Sequence, residues 1–361
     1  MDSATDGSVG EAGLQRSGFL PDRIIHLHPT RLCNLACLHC YSESDPHHRA
    51  ALDTDLLIAS LPLLRAEGYA AISLSGGEPL VYPALDRVVA EAQALGFRVT
   101  MVSNGLLANE RMDPLLDRLD GMAISFDGLA PTHNRLRGRH DAFPRASAAL
   151  KRLADRGRSV GAAISLERDS IPELPDLADH LVDHGARALQ VRPVARAGRA
   201  RTLPGGTFLT AADRARLYLV TLALEQELPD VRIHCDLAPA QGLWRERAAY
   251  ASLLADCATG EERPLADLVN PLVIDESGML KPIAYDFDPG FDVMPLDLLT
   301  PSRLADYKRQ RLPRLRDLVG AALAGLEARH DLVDWFDHCA RLSEATAEPQ
   351  DALAGSSKEV A

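Results

Sequence analysis

Cys33-Asn34-Leu35-Ala36-Cys37-Leu38-His39-Cys40-Tyr41 is the stretch around which the rest of the chain is read. Its three cysteines have three and then two residues between them. Thiolates this close in sequence fit three corners of a cubane iron–sulfur cluster. No fourth cysteine follows nearby, so one iron stays open to another ligand, and an open position is where substrate-directed chemistry takes place. A structural zinc loop is the other reading: zinc asks for four ligands, and His39, His47 or His48 is available as the last.

Outward from this loop the chain alternates. Residues 23–28 read as a first strand ended by Pro29, with His26 and His28 on one face. Residues 53–67 place Leu56, Leu57, Leu61 and Leu64 on one side of a helix capped by Asp53 or Thr54, with Pro62 as an irregularity inside it. Strands are expected at 71–75, 97–102, 122–126, 160–166 and 189–191, and helices at 84–95, 113–119, 143–156 and 174–184. Strands alternating with helices over short links imply a parallel sheet, curled by right-handed crossovers. Six such steps are too few for a closed eight-stranded barrel. The expected fold class is therefore α/β, a partial (β/α)6 TIM-like barrel with a lateral mouth. A cofactor loop directly after strand one suits an architecture whose chemistry sits at the carboxyl ends of the strands.

Three motifs follow in order: Ser75-Gly76-Gly77-Glu78-Pro79, Ser103-Asn104-Gly105 and Ser125-Phe126-Asp127-Gly128. The glycine pair is a turn whose backbone can approach a ligand closely, and Pro79 and Pro83 precede a helix start. Together with the cysteine stretch, this ordered set, spanning roughly residues 23–200, resembles the radical S-adenosylmethionine (SAM) enzymes. That resemblance implies a [4Fe–4S] cluster on Cys33, Cys37 and Cys40, with SAM on the open iron, and it implies the same partial barrel. It assigns the SAM amino group to the turn Gly76, Gly77, Glu78 and Pro79, and the ribose to the neighbourhood of Ser103 and Asn104. Ser125 and Arg137 match residues that contact the ribose and the methionine carboxylate. An arginine fork suits that carboxylate, the plain alternative being a solvated loop charge. His39 stands where the family usually carries an aromatic, so its ring is expected near the adenine. Gln190 or Val191 is expected near the adenine or methionine. Tyr41 is expected to pack beneath the loop, and Asp127 to be an ordinary turn residue.

Composition sets outer limits. The chain has 361 residues, enough for one large domain or two smaller ones. Its net charge of −12 argues against a nucleic-acid binder relying on counterion release and against an anionic membrane surface. No run of 18 apolar residues and no charged-then-apolar amino end occurs, so neither a membrane span nor export is expected. Six cysteines, three of them crowded, fit a reducing cytoplasm and cofactor ligation better than disulfides. Residues 1–20 read as a mobile tail and 344–361 as a disordered one.

The alternation is expected to stop near residue 205, leaving 21–205 as the barrel and 206–343 as an α+β extension. Helices are expected there at 211–227, 303–309, 315–328 and 332–342, and strands at 231–234 and 272–275, with Gly278 turning a hairpin back through Leu280. Cys257-Ala258-Thr259-Gly260, Gly278 and Pro282 resemble a SPASM or twitch-like domain, which carries extra iron–sulfur clusters. Ile283 stands where that pattern has a cysteine, and of its later cysteines only Cys339 remains. The resemblance therefore implies a degenerate scaffold whose second cluster has been lost. The alternative holds one cluster on Cys235, Cys257 and Cys339 with Asp286. The arginines from Arg192 to Arg201 are either a wet loop or a holder of substrate carboxylate or phosphate.

The chemistry implied by the resemblance is reductive cleavage of SAM to a 5′-deoxyadenosyl radical that abstracts hydrogen from substrate. An electron donor such as flavodoxin or ferredoxin goes with it. The favoured substrate is a ribosomally made peptide in natural-product biosynthesis, and the runner-up is a small molecule such as a haem precursor, sugar or nucleoside. A non-enzymatic zinc-binding or scaffold protein is the reading of a different class.

Overall fold

The computed structural model of this chain describes residues 23–255 and 263–346. The tail expected at 1–20, the end of the chain after 346, and Cys257 lie outside the described residues.

Seven strands follow one another in chain order as parallel neighbours: β1 Ile24–Leu27, β2 Ala71–Leu74, β3 Arg98–Ser103, β4 Gly121–Phe126, β5 Val160–Leu166, β6 Ala188–Pro193 and β7 Arg232–Cys235. Each new strand adds on the same side as the last. With right-handed crossovers this sends every connecting helix over one face and curls the sheet. Burial alternates accordingly. Ile25, Leu27, Ile72, Leu74, Met101, Ile124, Ile164 and Val191 sit in the core beneath the helices. Leu57, Leu61 and Leu64 of the helix Thr54–Ala66 and Leu150 and Leu153 of Ala142–Asp155 pack against them. The other face carries His26, Ser125, Gln190 and His234; the last three lie in one register row with Ala163.

Past β7 come β8 Leu237–Pro239, β9 Leu272–Ile274, β10 Met279–Pro282, β11 Met294–Pro295 and β12 Leu332–Asp334. β9 lies parallel to the outer side of β1, and β10 and β11 extend that edge antiparallel, giving ten strands in one open sheet. β8 and β12 pair separately. Among the described residues no ladder joins β7 to β11, so the barrel is partial, as the element pattern predicts.

Three expectations are corrected. The alternation does not stop near 205: the helix Ala211–Glu227 and β7 add a further parallel step, because residues 232–235 alternate Ile233 into the core against Leu189. Residues 332–342 divide into β12 and the helix Trp335–Ala345, with Asp334 capping through Phe336 N and Asp337 N. That helix carries order through Ala345, past the expected start of the tail. The helices Ala130–Arg137 and Ala240–Ala255 were not anticipated. The former is polar, but Pro131 in its first turn and left-handed Gly138 after its end are the ordinary boundary signals.

The C-terminal segment is tied to the barrel by a buried charge. Lys308 Nζ lies 2.5 Å from Glu67 Oε2 and donates to the Arg263 carbonyl at 2.9 Å. No described helix is long and apolar enough to cross a membrane.

Candidate active site

The loop after β1 brings Cys33, Cys37 and Cys40 together with Leu35 and Leu106 in a small apolar cluster of its own. Each sulfur has a donor directed at it. Asn104 Nδ2 lies 3.9 Å from Cys33 Sγ, Arg137 Nη1 3.9 Å from Cys37 Sγ, and the Ser44 amide 3.3 Å from Cys40 Sγ. Burial pushes the Cys33 thiol up to about 12 and raises that of Cys37, where Arg137 acts in opposition. A bound cation reverses that cost by taking the thiolate as ligand.

Backbone bonds hold the loop in place. Cys33 N donates to the Asp45 carbonyl at 3.1 Å and Leu38 N to Leu136 O at 2.8 Å. From the far end of the sheet, Arg199 N donates to Cys40 O at 2.9 Å, and its guanidinium donates to the carbonyls of Cys37 and Ser44. Gly198 makes this approach possible: a Cβ there would sit 2.1 Å from Tyr41 O. The arginine run is thus neither simply wet nor uniformly available. Arg199 clamps the loop, Arg196 lies 4.2 Å over the Phe208 ring, and Arg201 pairs with Glu344 at 2.5 Å.

The turn Gly76-Gly77-Glu78-Pro79 lies directly against the strand leading into the loop. Gly77 N donates to Thr30 O at 2.8 Å and Glu78 N to Leu32 O at 3.0 Å. A Cβ on Gly77 would be 2.2 Å from Leu32 O. The close approach that glycine permits is therefore first of all to residues 30–32 of the chain itself. Glu78 is fully buried, and its carboxylate accepts from Ser103 Oγ at 2.9 Å, Asn104 N at 2.9 Å and Leu80 N at 3.2 Å. Burial raises its pKa while those three donors oppose the rise. Ser103 Oγ also accepts from Gly105 N, and Asn104 Nδ2 donates to Asn34 Oδ1 at 2.7 Å. Glu78, Ser103 and Asn104 thus form a strut between turn, third strand and cysteine loop.

Asp127 is the residue that sequence reasoning undervalued. It has no solvent exposure and stands at the end of β4. Arg137 grips it with both sides of its fork, Nε to Oδ2 at 2.5 Å and Nη2 to Oδ1 at 2.9 Å. His39 Nε2 lies 3.1 Å from the same Oδ1, and His133 Nδ1 accepts from the Asp127 amide. Burial alone would raise the Asp127 carboxyl; Arg137 and His39 outweigh it and hold it well below the usual carboxylate range. Arg137 is consequently no solvated loop charge. It ends a helix, with its guanidinium spent on Asp127 and Cys37. The signal was present, since Asp127 and Arg137 are ten residues apart across a Pro- and Gly-bounded helix, but their pairing depends on how that helix folds back.

The remaining candidates divide. Ser125 faces the concave side, and its hydroxyl makes no hydrogen bond among the described residues. His39 Nδ1 is buried without a partner. Gln190 donates to Asp236 Oδ1 at 3.1 Å, whereas Val191 points into the core behind the sheet and offers the concave face only backbone. Tyr41 is 38% exposed, so it is not beneath the loop. Its hydroxyl lies 3.4 Å from His28 Nε2, and its ring meets Tyr285 edge-on.

Among the described residues no three His, Cys, Asp or Glu side chains close around a single-ion position. His39 is turned to Asp127, and His48 lies 3.7 Å from Asp45. Cys235 and Cys339 with Asp286 likewise make no such group. Three sulfurs in an apolar pocket with N–H groups aimed at them are instead the environment that an iron–sulfur cluster uses. The residues present therefore fit that group.

Comparisons with known proteins agree. The Radical SAM superfamily model matches residues 27–181. The chain is 30% identical over 173 residues to the sporulation killing factor maturation protein SkfB of Bacillus subtilis, covering 47% of this chain and 42% of that protein. It is 31% identical over 155 residues to the Fe-coproporphyrin III synthase of Methanosarcina barkeri, covering 42% and 39%. The chain thus spans less than half the length of these relatives. Its fold is similar to that of SuiB from Streptococcus suis bound to S-adenosylmethionine, with a TM-score of 0.60 at 17% identity over 85% of this chain and 71% of that one. A second SuiB structure, bound to the precursor peptide SuiA, superposes with a TM-score of 0.54 at 16% identity over 78% of this chain and 66% of that one. Residues 27–181 thus carry a Radical SAM superfamily domain.

Proposed function

We propose that this chain is a radical SAM enzyme with Cys33, Cys37 and Cys40 holding a [4Fe–4S] cluster. The observation that carries this is the convergence of three donor-directed thiols, in one apolar pocket, beside a glycine turn fastened to the same loop. When bound, the cluster and SAM supply one-electron cleavage of a sulfonium and, from it, hydrogen-atom abstraction at an unactivated C–H bond.

The chain's own residues bind and exclude. The backbone of Gly76 and Gly77 and the ring of Pro79 offer the amino-group side of SAM its surface. Glu78 acts behind that surface as its support, since its carboxylate already has three donors. Ser125, with a free hydroxyl on the concave face, suits the ribose. The bare Nδ1 of His39, held by Asp127 from the other side, suits a donor on the adenine edge. Arg137 keeps the thiolate side of Cys37 positive and meets the methionine carboxylate only if Asp127 shares its fork. Gln190 faces the same cavity from β6. Leu35 and Leu106 keep water from the sulfurs.

The substrate we infer is a ribosomally made peptide. SkfB is a maturation protein, and SuiB has been captured with a precursor peptide on this fold. The small-molecule reading is favoured by the likeness to Fe-coproporphyrin III synthase. A cytoplasmic setting with flavodoxin or ferredoxin as electron donor, and a barrel followed by a twitch-like extension, complete the proposal. The test is anaerobic reconstitution with iron and sulfide, then SAM and reductant. Deoxyadenosine from the native chain and none from the Cys33, Cys37, Cys40→Ala triple variant supports it; deoxyadenosine from the variant or none from either defeats it. A two-mass-unit loss in a co-expressed peptide supports the peptide reading over the small molecule.

A further inference from the structure

Arg192, first of the run between 192 and 201, pairs with one carboxylate and leaves its terminal nitrogens without a hydrogen bond among the described residues. Arg192 lies on β6 two residues beyond Gln190, opposite Ser165 of β5 and therefore on the concave side. Its Nε is 3.3 Å from Asp236 Oδ2, and its side chain is 41% exposed while that of Asp236 is 10% exposed. None of its nitrogens makes a hydrogen bond among the described residues, and Nε is buried without one. Asp236 follows β7 and is fixed independently. Gln190 Nε2 donates to it at 3.1 Å, and His234 Nε2 lies 3.4 Å away. The arginine is thus braced at its root and left open at its fork.

Its charge is felt by groups around the mouth. Arg192 charge helps to depress His26, on β1 across the sheet, whose pKa burial and this charge lower to about 4. The same charge acts on Tyr41, next to the third cysteine, and on Asp334 behind Asp236. Burial and the neighbouring Asp236 push the Asp334 carboxyl up. A guanidinium whose Nε faces a carboxylate at 3.3 Å and whose terminal groups make no hydrogen bond among the described residues presents a planar two-donor edge, which matches a carboxylate.

We propose that Arg192, braced by Asp236, is the anchor for a carboxylate carried by the substrate at the barrel mouth. The anchor rests on the radical SAM reading for its purpose, since it places a substrate on the side of the sheet that the cysteine loop faces. It requires no bond to be made or broken.

The experiment is phenylglyoxal labelling of Arg192, read by peptide mass spectrometry on the reconstituted full chain with SAM. The probes are N-acetylglutamate amide, a blocked peptide-type carboxylate, and succinate, a free acid, each against its uncharged amide. Labelling of Arg192 slowed about threefold by a carboxylate probe and not by its amide, the scale of a partly solvated ion pair, is the expected result. Protection by the blocked glutamate alone points to a peptide-borne group, and protection by succinate to a small acid. Equal labelling with carboxylate and amide overturns the anchor. So does a large loss of SAM affinity in Arg192→Gln, which would make Arg192 a cofactor contact. Arg192→Lys, which keeps charge without the fork and removes the labelled group, is expected to retain SAM binding. Deoxyadenosine formation, measured in parallel, separates the two ideas: protection without deoxyadenosine refutes the radical reading alone, and deoxyadenosine without protection refutes the anchor alone.

Discussion

Arg137 and Asp127 form a buried two-point pair, Nε to Oδ2 at 2.5 Å and Nη2 to Oδ1 at 2.9 Å, at the point where the fourth strand meets the cysteine loop. Arg137 also reaches Cys37 Sγ, and Asp127 also faces His39, so one ion pair fixes two positions of the loop. Asp127→Asn leaves the guanidinium without a counter-charge. We expect a loss of about 3–5 kcal/mol, the cost of breaking one side of a buried pair, and a fall in iron retained after reconstitution. Denaturant unfolding and iron analysis read both; native values for each would remove Asp127 from the loop's support.

Gly77 tests the glycine turn. Its added Cβ would meet Leu32 O at 2.2 Å, so Gly77→Ala must displace the turn from residues 30–32. Over-packing of this kind costs about 1–3 kcal/mol. We expect SAM affinity, measured by equilibrium dialysis on reconstituted protein, to fall while the fold survives. Unchanged affinity would mean that the turn does not shape that site.

Arg199 tests the clamp from the other end of the chain. Its guanidinium donates to two carbonyls of the loop, and its side chain is 25% exposed. Hydrogen bonds from a charged donor contribute about 1.5–3 kcal/mol. Arg199→Ala is expected to shed iron to a chelator faster than the native protein, with a loss of unfolding free energy on that scale. Identical release rates would count against the clamp.

The pH dependence of stability should carry the mark of His28. It is 4% exposed, and burial, with repulsion from His26, pushes its pKa down to about 3. On acidification the unfolded chain takes up this proton near the ordinary value of about 6.5, and the folded chain only near 3. Between those values the unfolded state binds more protons, so stability falls as pH drops from about 6.5 toward 3. His28→Phe keeps a ring against Tyr285 and should flatten that slope in urea unfolding, with His26 supplying what remains. An unaltered slope would show that His28 does not titrate this way.

Lys308 tests the union of barrel and C-terminal segment. Its side chain is 5% exposed and its charge is met by Glu67 from the first barrel helix. Lys308→Met strands that carboxylate, with an expected loss of about 3–5 kcal/mol and separation of one thermal transition into two. A single transition at the native temperature would refute the tie.

Much of this protein follows from its sequence alone, and for a physical reason. The cysteine spacing, the glycine pair before Glu78 and the strand–helix alternation are local patterns. Period, turn chemistry and ligand spacing act over a few residues and read the same in any environment. They determined the parallel sheet, the thiol loop after β1 and the position of the turn beside it. Tertiary structure decided what the long polar side chains do. Glu78, expected as a ligand contact, is also a strut, because Ser103 and Asn104 arrive at it from β3. Asp127 looked like a turn residue and is the counter-charge of Arg137, because a helix folds back between them. Arg199 and Arg192 are seven residues apart in one basic run. One clamps the cysteine loop and the other opens into the barrel, since only the path of the chain after β6 determines which carbonyl or carboxylate each can reach.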